Sequence, residues 1–102
     1  MAKEVILTPV AIKNYDNIVT YLTRKWGIAT TNNFIDRFDQ VQRAISRNPG
    51  IYPFEDRIKQ IQKCMLTKHN VIYFKEYDEM IKILTIFDTR QNPDNLTQDH
   101  LA

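Results

Sequence analysis

Five cations and one imidazole gather in the second half of this 102-residue chain: Arg57, Lys59, Lys63, Lys68, Arg90 and His69. All stand near the ends of β-rich runs or in the turns between them. Cations grouped this way suit a phosphate backbone or an acidic protein surface. They also suit a solvated rim, the usual place for such charges. Tyr73 lies within one of the runs and reads as core, although on an uncovered sheet face its ring could stack on a base. The residues therefore mark Arg57, Lys63, Lys68, Tyr73 and Arg90 as candidates for binding a target.

Other chemistries find less support. With only Gly27 and Gly50, the chain cannot build a glycine-rich phosphate loop. One cysteine and two histidines do not make a zinc site. Ser46 is the only serine and falls in the last turn of a helix pattern. Cys64 and His69 could be paired as thiol and imidazole, but nothing nearby would activate the thiol. No cofactor and no metal are expected. The net charge of +2 permits an acidic partner without demanding one. Residues 57–90 hold seven Lys/Arg against four Asp/Glu, and residues 9–47 six against three, whereas the last twelve carry only Asp94 and Asp99. No apolar run approaches the roughly 20 residues of a membrane span, so no membrane association is expected. Met-Ala-Lys-Glu leads straight into a strand-like segment, and a lone cysteine suits a reducing compartment. The expectation is a cytoplasmic protein without a signal peptide.

The elements that must position these side chains centre on a hairpin. Val71 to Tyr77 and Met80 to Phe87 are β-rich and are broken only by Asp78-Glu79, a tight turn. Both strands are apolar on both faces, as central strands are. Val71 and Tyr73 oppose Ile72 and Phe74, while Ile81, Ile83 and Phe87 oppose Met80, Leu84 and Ile86. Upstream, Lys3 to Thr8 is a short strand stopped by Pro9, and Thr8-Pro9 starts a helix. Ala11, Tyr15, Ile18, Leu22 and Trp26 form its apolar stripe, with Trp26 read as a core anchor. Gly27 ends that helix. Phe34, Phe38, Val41 and Ile45 form the stripe of a second one, closed by Pro49-Gly50. Asn48 to Asp56 reads as a tethered loop. Arg57 to Leu66 alternates imperfectly, which a bulge or a late strand start near Gln60 would explain.

The order is strand, helix, helix, strand, strand, strand. It implies an α+β fold, β-α-α-β-β-β, with a helical hairpin packed on one face of a mainly antiparallel sheet. The first strand pairs at an edge or inserts beside the last. Residues 1–93 make a single domain and 94–102 a polar tail.

This ordered set resembles the RelE/ParE superfamily of toxins from bacterial type II toxin–antitoxin systems, the plasmid-stabilising, growth-inhibiting class. The cues are Thr8, Pro9 and Ala11, then Trp26-Gly27, Asn48-Pro49 and Tyr52-Pro53. They continue in His69-x-x-Ile72-Tyr73-Phe74 and in Ile86 through Pro93 (Ile-Phe-Asp-Thr-Arg-Gln-Asn-Pro). The resemblance implies a cytoplasmic toxin neutralised by a cognate antitoxin, as a homodimer or in a heterotetramer with it. RelE-like members cleave messenger RNA on the ribosome, usually with a His or Tyr near the end of the last strand. Here that place reads Asp88-Thr89-Arg90. Lys63 and Arg90 would be the catalytic candidates such a branch implies, with His69 the titrating group suited to proton transfer. A guanidinium can stabilise phosphorane charge but is a poor base. ParE-like members poison DNA gyrase without such chemistry and carry an arginine where Arg90 stands. The Arg-Gln-Asn-Pro ending and the weak net charge favour that non-enzymatic branch. A ribosome-dependent endoribonuclease, or a member that only binds its antitoxin, stays as the alternative.

Overall fold

The computed structural model describes residues 2–90. The polar tail and the Gln91-Asn92-Pro93 ending lie outside the described residues. Thr8 caps the first helix, α1 (Pro9–Trp26), by accepting the Ala11 N–H at 3.1 Å. The same residue ties the helix start to the sheet, because its N–H donates to the Ile83 carbonyl and its hydroxyl to the Leu84 carbonyl. One residue, Gly27, joins α1 to α2 (Ile28–Arg47) at φ 93° and ψ 177°, a conformation essentially reserved for glycine. Thr31 locks the junction from the other side, its N–H and hydroxyl both donating to the Gly27 carbonyl.

The α2 stripe of Phe34, Phe38, Val41 and Ile45 is buried, and Tyr15 of α1 packs between Phe34 and Phe38, with ring centroids 5.8 and 4.8 Å apart. Both helices cover one face of a five-stranded sheet. Its strands are β1 (Glu4–Leu7), β2 (Phe54–Asp56), β3 (Ile61–Thr67), β4 (Asn70–Glu76) and β5 (Met80–Asp88), in the spatial order β1-β5-β4-β3-β2. β1 lies at an edge, parallel to β5, while the other pairs are antiparallel. The α+β architecture expected from the sequence is present, with one strand more than expected. β2 falls within the segment read as a loop. It is only three residues long, too short for an alternation to register, and its pairing with β3 slips between Phe54 and Asp56. The imperfect alternation after Arg57 has its cause in a late start: β3 begins at Ile61, after a four-residue turn ending in Gln60 at φ 60°.

The β4–β5 hairpin turns on Asp78-Glu79, closed by the Tyr77 N–H donating to the Met80 carbonyl at 2.7 Å. Farther along, the pairing slips by one residue between Tyr73 and Phe74. This bulge reverses the expected faces at the end of β5. Ile81, Ile83 and Ile86 join the core under the helices with Ile72 and Phe74, whereas Leu84 and Phe87 join Ile61 and Tyr73 on the opposite face. Strict alternation had put Phe87 with Ile81 and Ile83. An extra residue in one strand inverts everything beyond it.

Candidate functional site

The end of the sheet where β3 finishes and β4 begins, together with the end of β5, faces the Gly27 end of the helical hairpin across a cleft of about 920 Å³. Phe34, Ile86 and Phe87 are among its apolar lining, and Asn14, Asn17, Asn33 and Asn70 line it as well. Among the described residues, Lys25, Arg37, His69 and Arg90 line it against a single carboxylate, Asp88. The lining thus combines amides and cations with apolar side chains, a surface suited to binding polar or anionic groups.

Arg90 is held by three contacts to Asp88. Its backbone N–H donates to Oδ1 at 2.9 Å, Nε to Oδ1 at 3.1 Å and Nη2 to Oδ2 at 2.8 Å. The Arg90 hydrogen bond is the main cause holding the Asp88 carboxyl below the usual carboxylate range, and nearby His69 adds to it. Thr89 fastens the same turn to the sheet, its N–H and hydroxyl both donating to the His69 carbonyl, at 2.8 and 3.3 Å. On the other wall, Arg37 of α2 donates through Nε to the Leu66 carbonyl of β3 at 2.9 Å, which pins that guanidinium at the cleft's edge.

The sequence-derived candidates divide between two places. His69 and Arg90 meet at the cleft, with Lys68 in the same β3–β4 turn. Arg57 lies in the turn before β3, over the Phe54 ring at 5.4 Å. At about 3.4 Å per residue, the seven residues of β3 put roughly 20 Å between these turns. Lys63 and Tyr73 are cross-strand partners on the sheet face away from the helices. Lys63 pairs with Glu55 at 3.1 Å, and Tyr73 is only 7% exposed. Burial, and next Glu55, push the Tyr73 hydroxyl up, while Lys63 acts the other way. Cys64 lies on the opposite face from Lys63, in the core under the helices, where burial pushes its thiol up.

Three features escaped the sequence reading. Trp26, taken as a core anchor, is 62% exposed and lines the cleft mouth with Tyr21. Lys25 lies against both rings, 5.6 Å from the Tyr21 centroid and 5.8 Å from that of Trp26. Asn14 and Asp88 went unremarked as site residues. For Asp88 a signal existed: acid and arginine two apart at a strand end have side chains within reach of one another. Among the described residues, no helix is long and apolar enough to cross a membrane.

Over residues 5–93 the chain matches the family described as the ParE toxin of type II toxin–antitoxin system, parDE, and it belongs to that family. A search of curated proteins finds no match. Among solved structures it is similar to one described as the chromosomal ParDE TA system from P. aeruginosa. That match has TM-score 0.72 and 12% identity, covering 85% of this chain and 96% of the other. It is also similar to the YoeB dimer from Staphylococcus aureus, with TM-score 0.61, 12% identity and coverage of 85% and 97%. The YoeB–YefM complex from the same organism matches at TM-score 0.58 and 12% identity, again covering 85% and 97%. At such identity these likenesses speak for the fold, which is the RelE/ParE-like arrangement of two helices on a mixed sheet.

Proposed function

We propose that this toxin acts by binding a protein target, DNA gyrase, through the cleft that presents Arg90, and that a cognate antitoxin neutralises it. The observation that carries this reading is the placement of Arg90. The last strand delivers it to the rim of a cation-lined and amide-lined cleft, and its carboxylate partner keeps it oriented there. A planar guanidinium so placed can make paired, charge-assisted bonds to an acidic group of the target. Membership of the ParE family supports the same target class. The antitoxin partner, and assembly as a homodimer or heterotetramer, are proposed from the family and from the solved YoeB–YefM complex and YoeB dimer.

A second reading, cleavage of ribosome-bound mRNA, draws on one specific observation. Glu55, Lys63 and Tyr73 stand together on the sheet face away from the helices, an acid, a cation and a phenol. Induced expression separates the two readings. The gyrase reading expects gyrase-linked DNA breaks and damage signalling with messages intact, relieved by the co-expressed antitoxin and retained in His69→Ala. Cut messages and halted translation, lost in Lys63→Ala, would establish the second.

A further inference from the structure

The Arg90 guanidinium has five N–H groups, and Asp88 takes two of them along one edge, that of Nε and Nη2. The edge formed by Nη1 and Nη2 is not used by Asp88. Asp88 is itself well placed to act as a fixed anchor. It ends β5 opposite Asn70 and its side chain is 26% exposed, against 57% for Arg90. The intervening Thr89 is bound to the His69 carbonyl by both its N–H and its hydroxyl. The charged tip of a flexible side chain is therefore referred, through one carboxylate, to the rigid ladder of β4 and β5.

We propose that Asp88 is the positioning residue of this toxin: it grips one edge of Arg90 so that the other edge meets a carboxylate side chain of the target. The inference rests on the functional reading above and deepens it by naming the partner group. A guanidinium held this way has already lost its rotamer freedom before the target arrives, so less binding energy goes into ordering it. Removing the anchor leaves the charge in place but lets it wander. The consequence is a loss of potency with the same sign as loss of Arg90 itself.

The test titrates purified Asp88→Ala, Asp88→Asn, Arg90→Ala and the Asp88→Ala/Arg90→Ala double variant against gyrase supercoiling. The Arg90 Nε–H signal is followed by NMR in those that retain Arg90. In the unaltered chain that proton should exchange slowly; Asp88→Ala should release it, and Asp88→Asn, which keeps one acceptor oxygen but loses the second, should release it in part. Asp88→Ala should raise the half-inhibitory concentration by about tenfold, the factor that corresponds to about 1.4 kcal/mol. The double variant should be no weaker than Arg90→Ala alone, because Asp88 acts only through Arg90. Where Asp88→Ala lowers the melting temperature, the isosteric Asp88→Asn carries the comparison. Full potency in a folded Asp88 variant while Arg90→Ala is impaired would overturn the positioning role and leave the functional reading standing. So would an additive loss in the double variant. Full potency in Arg90→Ala would overturn both.

Discussion

Asn14 of α1 reaches across to β5, where its Oδ1 accepts the Thr85 hydroxyl at 2.8 Å. The same oxygen accepts the Ile86 N–H at 3.1 Å. One amide thus satisfies two donors beside the bulge, where a regular ladder is interrupted, and Thr85 is only 2% exposed. Asn14→Ala should cost about 1–3 kcal/mol, since it strands buried donors rather than removing a pair. Urea unfolding of Asn14→Ala beside Thr85→Val measures it. Thr85→Val, which removes a donor and keeps the shape, should cost less.

Gly27 carries the hairpin. A methyl group added there would meet no atom within 4 Å, so sterics with neighbours impose nothing. The backbone does: at φ +93° an L-residue is strained, by about 1–3 kcal/mol. Gly27→Ala and Gly27→Ser should therefore destabilise by the same amount, read from thermal or urea unfolding. A neutral Gly27→Ala would mean that the junction relaxes.

Trp26 should matter for binding and little for folding. At 62% exposed, its truncation should change stability by no more than about 0.5 kcal/mol. Exposed tryptophans at the mouth of a cleft are common anchors in interfaces, so Trp26→Ala should weaken antitoxin or target binding by about tenfold or more. Calorimetric titration of the purified pair checks this.

The Asp88–Arg90 pair gives a pH dependence of known sign. The folded-state pKa of Asp88 is lowered, chiefly by its hydrogen bond with Arg90. Its contribution to stability is thus complete above the unfolded value of about 3.9 and is lost as pH falls through the lower folded value. Below about pH 4 the stability of the unaltered chain should decline more steeply than that of Asp88→Asn. Parallel curves for the two would show that the pair contributes nothing to folding.

Long periodic stretches were the legible part of the sequence. Tyr15 and the stripe from Phe34 to Ile45 gave the helical hairpin, Thr8-Pro9 its start and Asp78-Glu79 the central turn, because each is a local preference that packing reinforces. What was not legible depended on tertiary relations. β2 is strand only because β3 lies beside it. The faces of Ile86 and Phe87 depend on a bulge that no residue type announces. Trp26 continues a core stripe in sequence but in the fold stands exposed at the cleft. At the cleft, His69 and Arg90 were read as candidates from their positions at strand ends. Asn14 and Asp88 act through partners that only the fold, or the turn after β5, brings to them.

The central claim is that Arg90 engages gyrase. The most direct measurement titrates purified protein into a gyrase supercoiling reaction, comparing the unaltered chain with Arg90→Ala and Arg90→Lys. Melting temperatures and antitoxin binding are recorded for each. The account predicts inhibition by the unaltered chain. It also predicts a loss of about tenfold or more in both variants, because lysine cannot copy the planar fork, with both variants still folded and antitoxin binding unchanged. No inhibition by the unaltered chain, or full inhibition by Arg90→Ala, would contradict it.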